Sequence, residues 1–400
     1  MASTSSTRYD QIVIGAGGLG TAAAYWLSRL GDGDVLVLEQ YELGHPWGAS
    51  EDHCRIIRHC YHSTDYTVLT PAMYETWRHV EQAAGESLLT LPGCLNLAVD
   101  GTLGADELAV FGRSMGDVGL PYEELTRADI LRRWPEWQLP PDAVGLFHPE
   151  AGVLDLARAN AAHAGLARAG GVTFRDRTPV LALEPGADDV AVHTDGQTYR
   201  ADTVLVCAGA WSPPLLATAG VDLPLILSQE QGTYFDVDQP ERFASDRWPV
   251  WIWHAEQVFY GFPADADGAV KAARDMAGRF VTQETRSWNP DPGQTAELLE
   301  FLRERLPRAA GRERYSKACV YDSPSDRELL IGPVPDEPRL LVTAGAGHAA
   351  KFASLIGRIL AELATSGETA HPIAPFRFDR PALTDPDYGQ TLRLSGGSLT

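Results

Sequence analysis

Cationic side chains that could bind a carboxylate stand close together near the N-terminus. Arg55 and Arg58 lie three residues apart around two isoleucines, so in a helix or a tight turn both could face one side. The planar guanidinium group binds a carboxylate through two parallel hydrogen bonds, which makes Arg58 a candidate substrate clamp. A structural ion pair is the alternative for either arginine.

Lysine is rare in this chain, which makes each lysine informative. Among 33 basic residues, only Lys271, Lys317 and Lys351 are lysines. Because arginine serves elsewhere as the general positive charge, a retained lysine indicates a need for a compact ammonium group that can be desolvated. A charge on a helix surface is the alternative for Lys351, although its neighbours are apolar.

Cys319 is a candidate nucleophile. A thiolate is the reactive form of cysteine, and Lys317 would lower the pKa of the thiol if both side chains point the same way. A buried strand cysteine is the alternative. The five cysteines are widely scattered and contain no CxxC pair, so neither a disulfide framework nor a zinc site is indicated.

The elements that would position these groups begin with a nucleotide-binding pattern. Residues 9–14 predict a buried strand that leads into Gly15, Gly17 and Gly20 and an apolar helix, and a second strand ends at Glu39. Together they form the dinucleotide fingerprint. The glycines allow a tight turn, close approach of a pyrophosphate and close packing of helix on strand. Glu39 would accept from the ribose hydroxyls. A glycine-rich turn without a binding function is the alternative.

The remaining strands of the nucleotide fold occur much later, at 202–211 and 339–354. The fingerprint alone leaves NAD and FAD open, but a nucleotide domain interrupted by long, strand-rich insertions favours FAD. We therefore predict an α/β protein of α+β two-domain organisation, a Rossmann-like FAD-binding domain with an interleaved antiparallel-sheet substrate domain. The predicted segments are 1–80, 145–220 and 320–385 for the FAD-binding domain, and 80–145 and 220–320 for the substrate domain.

Composition limits the classes of partner. The net charge of −21 argues against nucleic acid and anionic membranes, which require positive patches. No apolar run reaches the roughly 18 residues needed to span a bilayer, and the N-terminus does not resemble a secretory signal. We expect a cytoplasmic protein with neither a nucleic-acid nor a membrane partner.

Six motifs distributed over nearly the whole chain match one known family in order and in approximate spacing. They are Arg55-Ile-Ile-Arg58-His59, Arg133-Trp134-Pro135, Cys207-Ala-Gly-Ala-Trp211, Tyr260-Gly-Phe-Pro263, Ala318-Cys319-Val-Tyr321, and Gly347-His348 with Lys351-Phe352. The sequence resembles monomeric sarcosine oxidase and N-methyltryptophan oxidase. This resemblance implies a monomer that oxidises the C–N bond of a secondary or cyclic amino acid to an imine, with O2 reduced to hydrogen peroxide.

The resemblance also implies roles for the reactive residues. Cys319 would hold FAD covalently through an 8α-S-cysteinyl thioether. Lys271 would lie at the flavin face where oxygen reacts, and Arg55 would stabilise the reduced ring. Arg58 and Lys351 would bind the substrate carboxylate.

Further residues would surround the flavin and the substrate, again by resemblance. Tyr260 and Tyr321 match aromatic residues of the substrate cavity. His348 would approach the pyrimidine edge of the flavin, where a helix N-terminus stabilises negative charge. Ser50 and Gly347 complete the expected cofactor-binding set, to which Lys351 also belongs.

Departures from the family pattern concern the substrate. Glu51 and Asp275 stand where relatives carry histidines, and Cys54 replaces a threonine. Trp251 and Trp253 alternate, so they share one face of a strand and could form an aromatic cavity wall. We therefore expect a larger or more cationic substrate than sarcosine, with Glu51 or Asp275 meeting its positive group. A tryptophan pair in the core is the alternative.

Two other functional classes stay open from the sequence. One is a flavin dehydrogenase, or an amine or imine oxidase of specialised metabolism, that uses another acceptor or substrate. The other is a flavin-binding protein without turnover, its site impaired by the acidic replacements. The retained Arg58, Lys271, Cys319 and Lys351 weigh against that second class.

Overall fold

The computed structural model of the chain describes residues 7–50, 52–345 and 347–389. Its strands within those residues are β1 (Thr7–Ile14), β2 (Val35–Leu38), β3 (Arg55–Ile57), β4 (Leu89–Thr90), β5 (Cys94–Val99), β6 (Glu123–Thr126), β7 (Ala143–His148), β8 (Gly152–Leu154), β9 (Thr173–Arg175), β10 (Val180–Pro185), β11 (Val190–Thr194), β12 (Thr198–Val206), β13 (Ile226–Asp236), β14 (Val250–Trp253), β15 (Val258–Ala264), β16 (Ala269–Asp275), β17 (Arg279–Val281), β18 (Arg312–Ser323), β19 (Leu330–Val334) and β20 (Glu337–Ala344).

The α-helices of the same described ranges connect and cover these strands. They are α1 (Gly18–Leu30), α2 (Thr64–Thr67), α3 (Thr70–Ala84), α4 (Leu103–Val118), α5 (Arg127–Arg133), α6 (Leu156–Ala169), α7 (Ser212–Ala217), α8 (Pro292–Arg305), α9 (Ala349–Ser366) and α10 (Pro381–Thr384). None of these described helices is long and apolar enough to cross a membrane.

The first sheet has the order β10-β11-β12-β1-β2-β9, and β20 pairs with both β12 and β19. Strand β1 is parallel to β2 and β12, and β12 is parallel to β20. The apolar end of β1, residues 12–14, and the apolar strand β2 suit a sheet covered on both faces. Val13 and Val37 pack with α1, α6 and α9, while Ile12 and Leu36 pack into the core on the opposite face.

The helix that follows β1 approaches the sheet closely because of a glycine. A Cβ atom built on Gly20 would lie only 1.9 Å from the carbonyl oxygen of Gly15. The predicted role of Gly20, close packing of the helix on the strand, therefore has a direct steric basis. The predicted Rossmann-like organisation of this part of the chain is confirmed.

The second sheet has the order β17-β13-β16-β15-β14-β5-β7-β6, and β18 pairs with β13 along its whole length. It is antiparallel except at the β14–β5 pair. Its strands come from 94–148 and 226–323, whereas the first sheet is drawn from 7–38, 173–206 and 330–344. The domain boundaries at 80, 145, 220 and 320 stay predictions.

The prediction that Trp251 and Trp253 line a substrate cavity is wrong. Both side chains do share one face of β14, but α8 covers that face. Trp251 stacks on Phe301 at 5.9 Å and meets Trp137 edge-on at 5.2 Å, and Trp253 contacts the same Phe301. Ile252, between them, points to the opposite face and lines the cavity described below. The tryptophans belong to the hydrophobic core of the second sheet.

We predict that Gly20→Ala destabilises the protein by more than about 3 kcal/mol, because its methyl group would overlap the backbone at Gly15. Chemical denaturation measures this change. Gly165→Ala is the matched control: it lies in α6, and a Cβ there meets nothing within 4 Å. The control is expected to be neutral or to stabilise by about 0.5–1 kcal/mol. Equal stability of the two variants would contradict the steric argument.

Candidate active site

A cavity of about 860 Å3 lies between the two sheets. One end is formed by the glycine loop between β1 and α1, and the other by strands of the second sheet. The predicted site residues that line it are Gly15, Gly17, Glu39, Ser50, Arg55, Arg58, Tyr260, Lys271, Asp275, Cys319, Tyr321, Gly347, His348 and Lys351. Gly20 lies behind the loop, and Glu51 is outside the described residues.

The glycine-loop end of the cavity offers hydrogen-bond donors. No described side chain caps α1, although the N–H of Gly18 donates to Ser50 Oγ at 2.9 Å. Glu39 is held in place because it accepts from the backbone N–H groups of Ala16 at 2.7 Å and Tyr41 at 2.9 Å. Burial alone would raise the pKa of Glu39, but these hydrogen bonds and a nearby histidine lower it, so the carboxylate is ionised.

A second helix begins at the same cavity. His348 precedes the first residue of α9, and no side chain among the described residues caps this helix. Gly347 lies against Tyr321, so that a Cβ there would be 3.0 Å from the tyrosine ring. Burial first, then the charge of Arg327, holds the pKa of His348 well below its usual value. The ring is therefore neutral, and the helix N-terminus supplies the positive potential.

These features fit a dinucleotide of the FAD type. A Cβ on Gly17 would lie 3.0 Å from Ser50 Oγ, so glycine lets Ser50 approach the loop closely. Helix N-termini bind phosphate through free N–H groups. The ionised Glu39 can accept from ribose hydroxyls, and the cavity extends from there to Cys319. Among the described residues no cluster suits a metal ion.

Cys319 lies on β18 with its side chain in the cavity wall. Burial raises the pKa of the thiol to about 11, while Arg55 opposes this effect. The sequence suggested Lys317 as the group that activates the thiol. In the structure, Arg55 and Lys271 are the cations that lower the pKa of Cys319, and burial outweighs them.

Lys271 and Arg55 share one buried carboxylate. Lys271 Nζ donates to Asp52 Oδ2 and, at 3.2 Å, to the carbonyl oxygen of Cys54. Arg55 Nη1 donates to the same Asp52 oxygen at 2.9 Å, and Tyr234 donates to its other oxygen. Burial would raise the pKa of Asp52, but Lys271 and Arg55 hold it far below its usual range. The structural ion pair considered for Arg55 is therefore present.

Arg58 and Lys351 form a cationic pair in a different part of the cavity. The guanidinium carbon of Arg58 lies 5.3 Å from the ring of Tyr61, and Lys351 Nζ lies 5.7 Å from the same ring. Arg58 also donates to Asn96 Oδ1 at 3.4 Å, but within the described residues it pairs with no carboxylate. Lys351 is buried, so it is not a helix-surface charge, and burial with the nearby Arg58 lowers its pKa to about 7.

Asp275 reaches the cavity but is engaged. Both of its oxygens accept from Arg327 Nη2, at 3.0 and 2.8 Å. Tyr260 and Tyr321 lie beside it, and burial raises the pKa of both phenols. Asp275 therefore reaches the cavity as part of an ion pair, so the structure does not support its predicted role of meeting a substrate cation by itself.

Sequence reasoning missed several residues that the structure brings into the site. Asp52 is the most important, and its spacing of three residues before Arg55 was an available signal. Arg327, Asn96 and Glu230 carried no signal, because each has a partner in the site that is distant in the chain. Asn96, for example, lies 38 residues from Arg58.

We predict that Asp52→Asn destabilises the protein by about 3–5 kcal/mol at neutral pH, because it leaves Lys271 and Arg55 buried without a counter-ion. Urea denaturation measures the difference. The folded-state pKa of Asp52 is depressed, so its contribution is present above the unfolded value of about 4 and is lost as the pH falls below it. Tyr234→Phe, which removes one hydrogen bond, should cost about 1 kcal/mol. A wild-type-like Asp52→Asn protein would contradict this account.

Comparisons with known proteins identify the family of the chain. The family model described as FAD dependent oxidoreductase matches residues 10–363. The chain is 34% identical to a monomeric sarcosine oxidase of Streptomyces avermitilis, over 93% of this chain and 97% of that protein. It is 30% identical to an N-methyl-L-tryptophan oxidase of Escherichia coli (strain K12 / DH10B), over 93% and 99%.

Solved structures show the same fold. NikD, described as an unusual amino acid oxidase essential for nikkomycin biosynthesis, superimposes with a TM-score of 0.83 at 28% identity, over 93% of this chain and 98% of that one. An L-proline dehydrogenase from P. horikoshii shares the fold at 19% identity with the same TM-score. The chain therefore belongs to the FAD-dependent oxidoreductases, in the group of monomeric sarcosine oxidase and N-methyl-L-tryptophan oxidase.

Proposed function

We propose that this protein oxidises the C–N bond of a secondary or cyclic amino acid to an imine, using FAD and reducing O2 to hydrogen peroxide. The observation that carries the proposal is the pair formed by Arg58 and Lys351, two cations in the same cavity as Cys319 and Lys271. Arg58 has no carboxylate partner among the described residues, as a group awaiting an anionic substrate should. The names of the relatives support an amino acid or amine substrate.

Cofactor binding would follow from the cavity. The glycine loop, Glu39 and the start of α1 would hold the ADP part, and Cys319 would attach the ring covalently. Gly347 and His348 would contact the ring at the start of α9. Bound flavin supplies the two-electron acceptor for the amine and passes these electrons to oxygen.

The cationic pair would orient the substrate. Arg58 presents two parallel N–H groups to a carboxylate, and the rings of Tyr61 and Phe111 beside it keep the guanidinium in place. Lys351 adds a second charge. The same positive charges lower the pKa of the substrate ammonium, so the neutral amine needed for oxidation forms without a dedicated base.

Lys271 would serve the oxygen step. A fixed cation stabilises the negative charge that develops on oxygen, provided that the cation does not have to reorganise. Asp52 and the Cys54 carbonyl hold the ammonium group in one position. Because Arg55 shares Asp52, one positive charge remains in excess in this cluster, next to the wall that carries Cys319.

The substrate is proposed to be larger than sarcosine. The cavity continues beyond Arg58 to Glu107, Phe111 and His254. The Glu107 side chain is 42% exposed and accepts from His254 Nδ1 at 3.0 Å, so it can meet a polar or cationic extension of the substrate. The proposal further includes a monomer that acts in the cytoplasm, as the name of monomeric sarcosine oxidase and the five free cysteines suggest.

We predict that the yellow colour of the purified protein stays with the pellet after acid precipitation. Cys319→Ser should release all flavin into the supernatant, because the hydroxyl group cannot form the thioether. Absorbance spectra of both fractions provide the measurement. Cys207→Ser is the control, since that cysteine is buried next to the glycine loop and should leave attachment unchanged. Acid-released flavin from the wild-type protein would show that FAD binds only reversibly.

We predict that carboxylate binding weakens as the pH rises above about 7. Burial lowers the pKa of Lys351 to about 7, so the free site loses one of its two charges above that pH. Titration with propionate should show a dissociation constant that rises by up to about tenfold per pH unit. Lys351→Arg, which stays charged, should give a flat profile. A flat wild-type profile would argue against Lys351 as a carboxylate ligand.

A substrate panel tests the reaction itself. Oxygen uptake and peroxide formation should be measured with sarcosine, N-methyl-L-tryptophan, L-proline and L-pipecolate. We expect the highest kcat/KM with a substrate larger than sarcosine, and a rise in KM of about tenfold or more in Arg58→Lys, which keeps the charge but loses the planar fork. Sarcosine as the best substrate would refute the size argument, and no peroxide with any of these amines would refute the oxidase proposal.

A further inference from the structure

The thiol of Cys319 is protonated at neutral pH and cannot attack as it stands. Burial raises the pKa of the thiol to about 11, although Arg55 and Lys271 lie near enough to oppose this. Only a small fraction of the thiol would be the reactive thiolate at pH 7. If FAD is attached at this residue, as proposed above, a neighbouring group must take the proton from Sγ.

Glu230 lies directly across from Cys319. In the antiparallel pairing of β13 with β18, the two residues are Cα partners. Side chains of directly opposed residues stand on the same face, with Cβ atoms about 4.5–5.5 Å apart. Both residues line the cavity. The topology thus places a carboxylate beside the thiol, at the point where the cofactor ring would be attached.

Hydrogen bonds hold the carboxylate of Glu230 in place, but the carboxylate can still accept a proton. Ser228 Oγ donates to Oε1 at 2.7 Å, and the N–H groups of Ala277 and Gly278 donate to Oε2 at 3.0 and 3.1 Å. Oε1 therefore has a free lone pair. Within the described residues Glu230 forms no ion pair, and burial raises its pKa.

Two other carboxylates of the cavity wall, Asp52 and Asp275, are engaged. Asp52 binds Lys271, Arg55 and Tyr234, and these cations hold its pKa far below the usual range. Asp275 binds Arg327 with both oxygens. Neither is a competent acceptor for a thiol proton, whereas Glu230 has no counter-ion to neutralise it.

We propose that Glu230 is the general base that removes the Sγ proton of Cys319 as the thioether to FAD forms. The S–H bond and one C–H bond of the 8-methyl group break, and the S–C bond forms. Glu230 takes the thiol proton. The proton of the broken C–H bond passes to solvent, and the two electrons lost by the 8-methyl carbon enter the isoalloxazine ring. O2 then accepts these electrons together with two protons, equal in number to those released from sulfur and carbon, to give hydrogen peroxide.

The test measures attachment rather than turnover. Full-length protein produced in riboflavin-limited cells is incubated with FAD, and acid-stable flavin is followed over time. In Glu230→Gln, which cannot accept the proton, the rate should fall by about 100-fold or more while reversible FAD binding is retained. Glu230→Asp should recover part of the rate. Attachment in Glu230→Gln within about threefold of wild type would overturn the proposal.

A second measurement decides the matter if Glu230→Gln fails to fold. The wild-type attachment rate should rise with pH through the ionisation of Glu230 and then level off below pH 9. A rate that climbs about tenfold per pH unit to pH 10 without a plateau would mean that free thiolate attacks unaided, and would overturn the proposal. The Cys319→Ser variant tests the attachment site separately from the role of Glu230. Acid-stable flavin in that variant would refute attachment at Cys319 itself.

Discussion

The buried Asp52 carboxylate connects the segment before β3 to the second sheet. It lies in the segment that leads into β3, yet it binds Lys271 on β16 and Tyr234 on β13, both in the second sheet. Arg55 completes the cluster from β3 itself. Removing one member of such a cluster strongly destabilises the folded state, because the remaining members become buried charges without a partner. The position of the cavity wall therefore depends on this one carboxylate.

The cations of the cavity fall into two groups, one paired with a carboxylate and one without such a partner. Lys271 and Arg55 are neutralised in part by Asp52, so they remain fixed while charge changes nearby. Arg58 and Lys351 contact aromatic rings and an amide and form no ion pair within the described residues, so their positive field is directed into the cavity. Such a division suits a site in which one pair binds an anion and the other meets charge that develops only during reaction.

The nucleotide end could be predicted well because its determinants are local. Gly20 meets the backbone of Gly15, and Glu39 receives its hydrogen bonds from Ala16 and Tyr41. The strand alternation of the two tryptophans was also correctly predicted. The alternation does not predict which face of β14 lines the cavity. In the structure, α8 covers the face that carries the tryptophans.

By itself the sequence determined the nucleotide fold, the family and a core set of the residues that line the cavity, because short-range backbone constraints and residue types can be recognised in the local sequence pattern. Tertiary structure alone decided the pairing of charges that are distant in the chain. Asp52 and Lys271 are 219 residues apart, and Arg327 meets Asp275 across 52 residues. Ion pairs depend on distances of a few ångströms between strands whose register is set by the whole fold, and no local pattern encodes that distance.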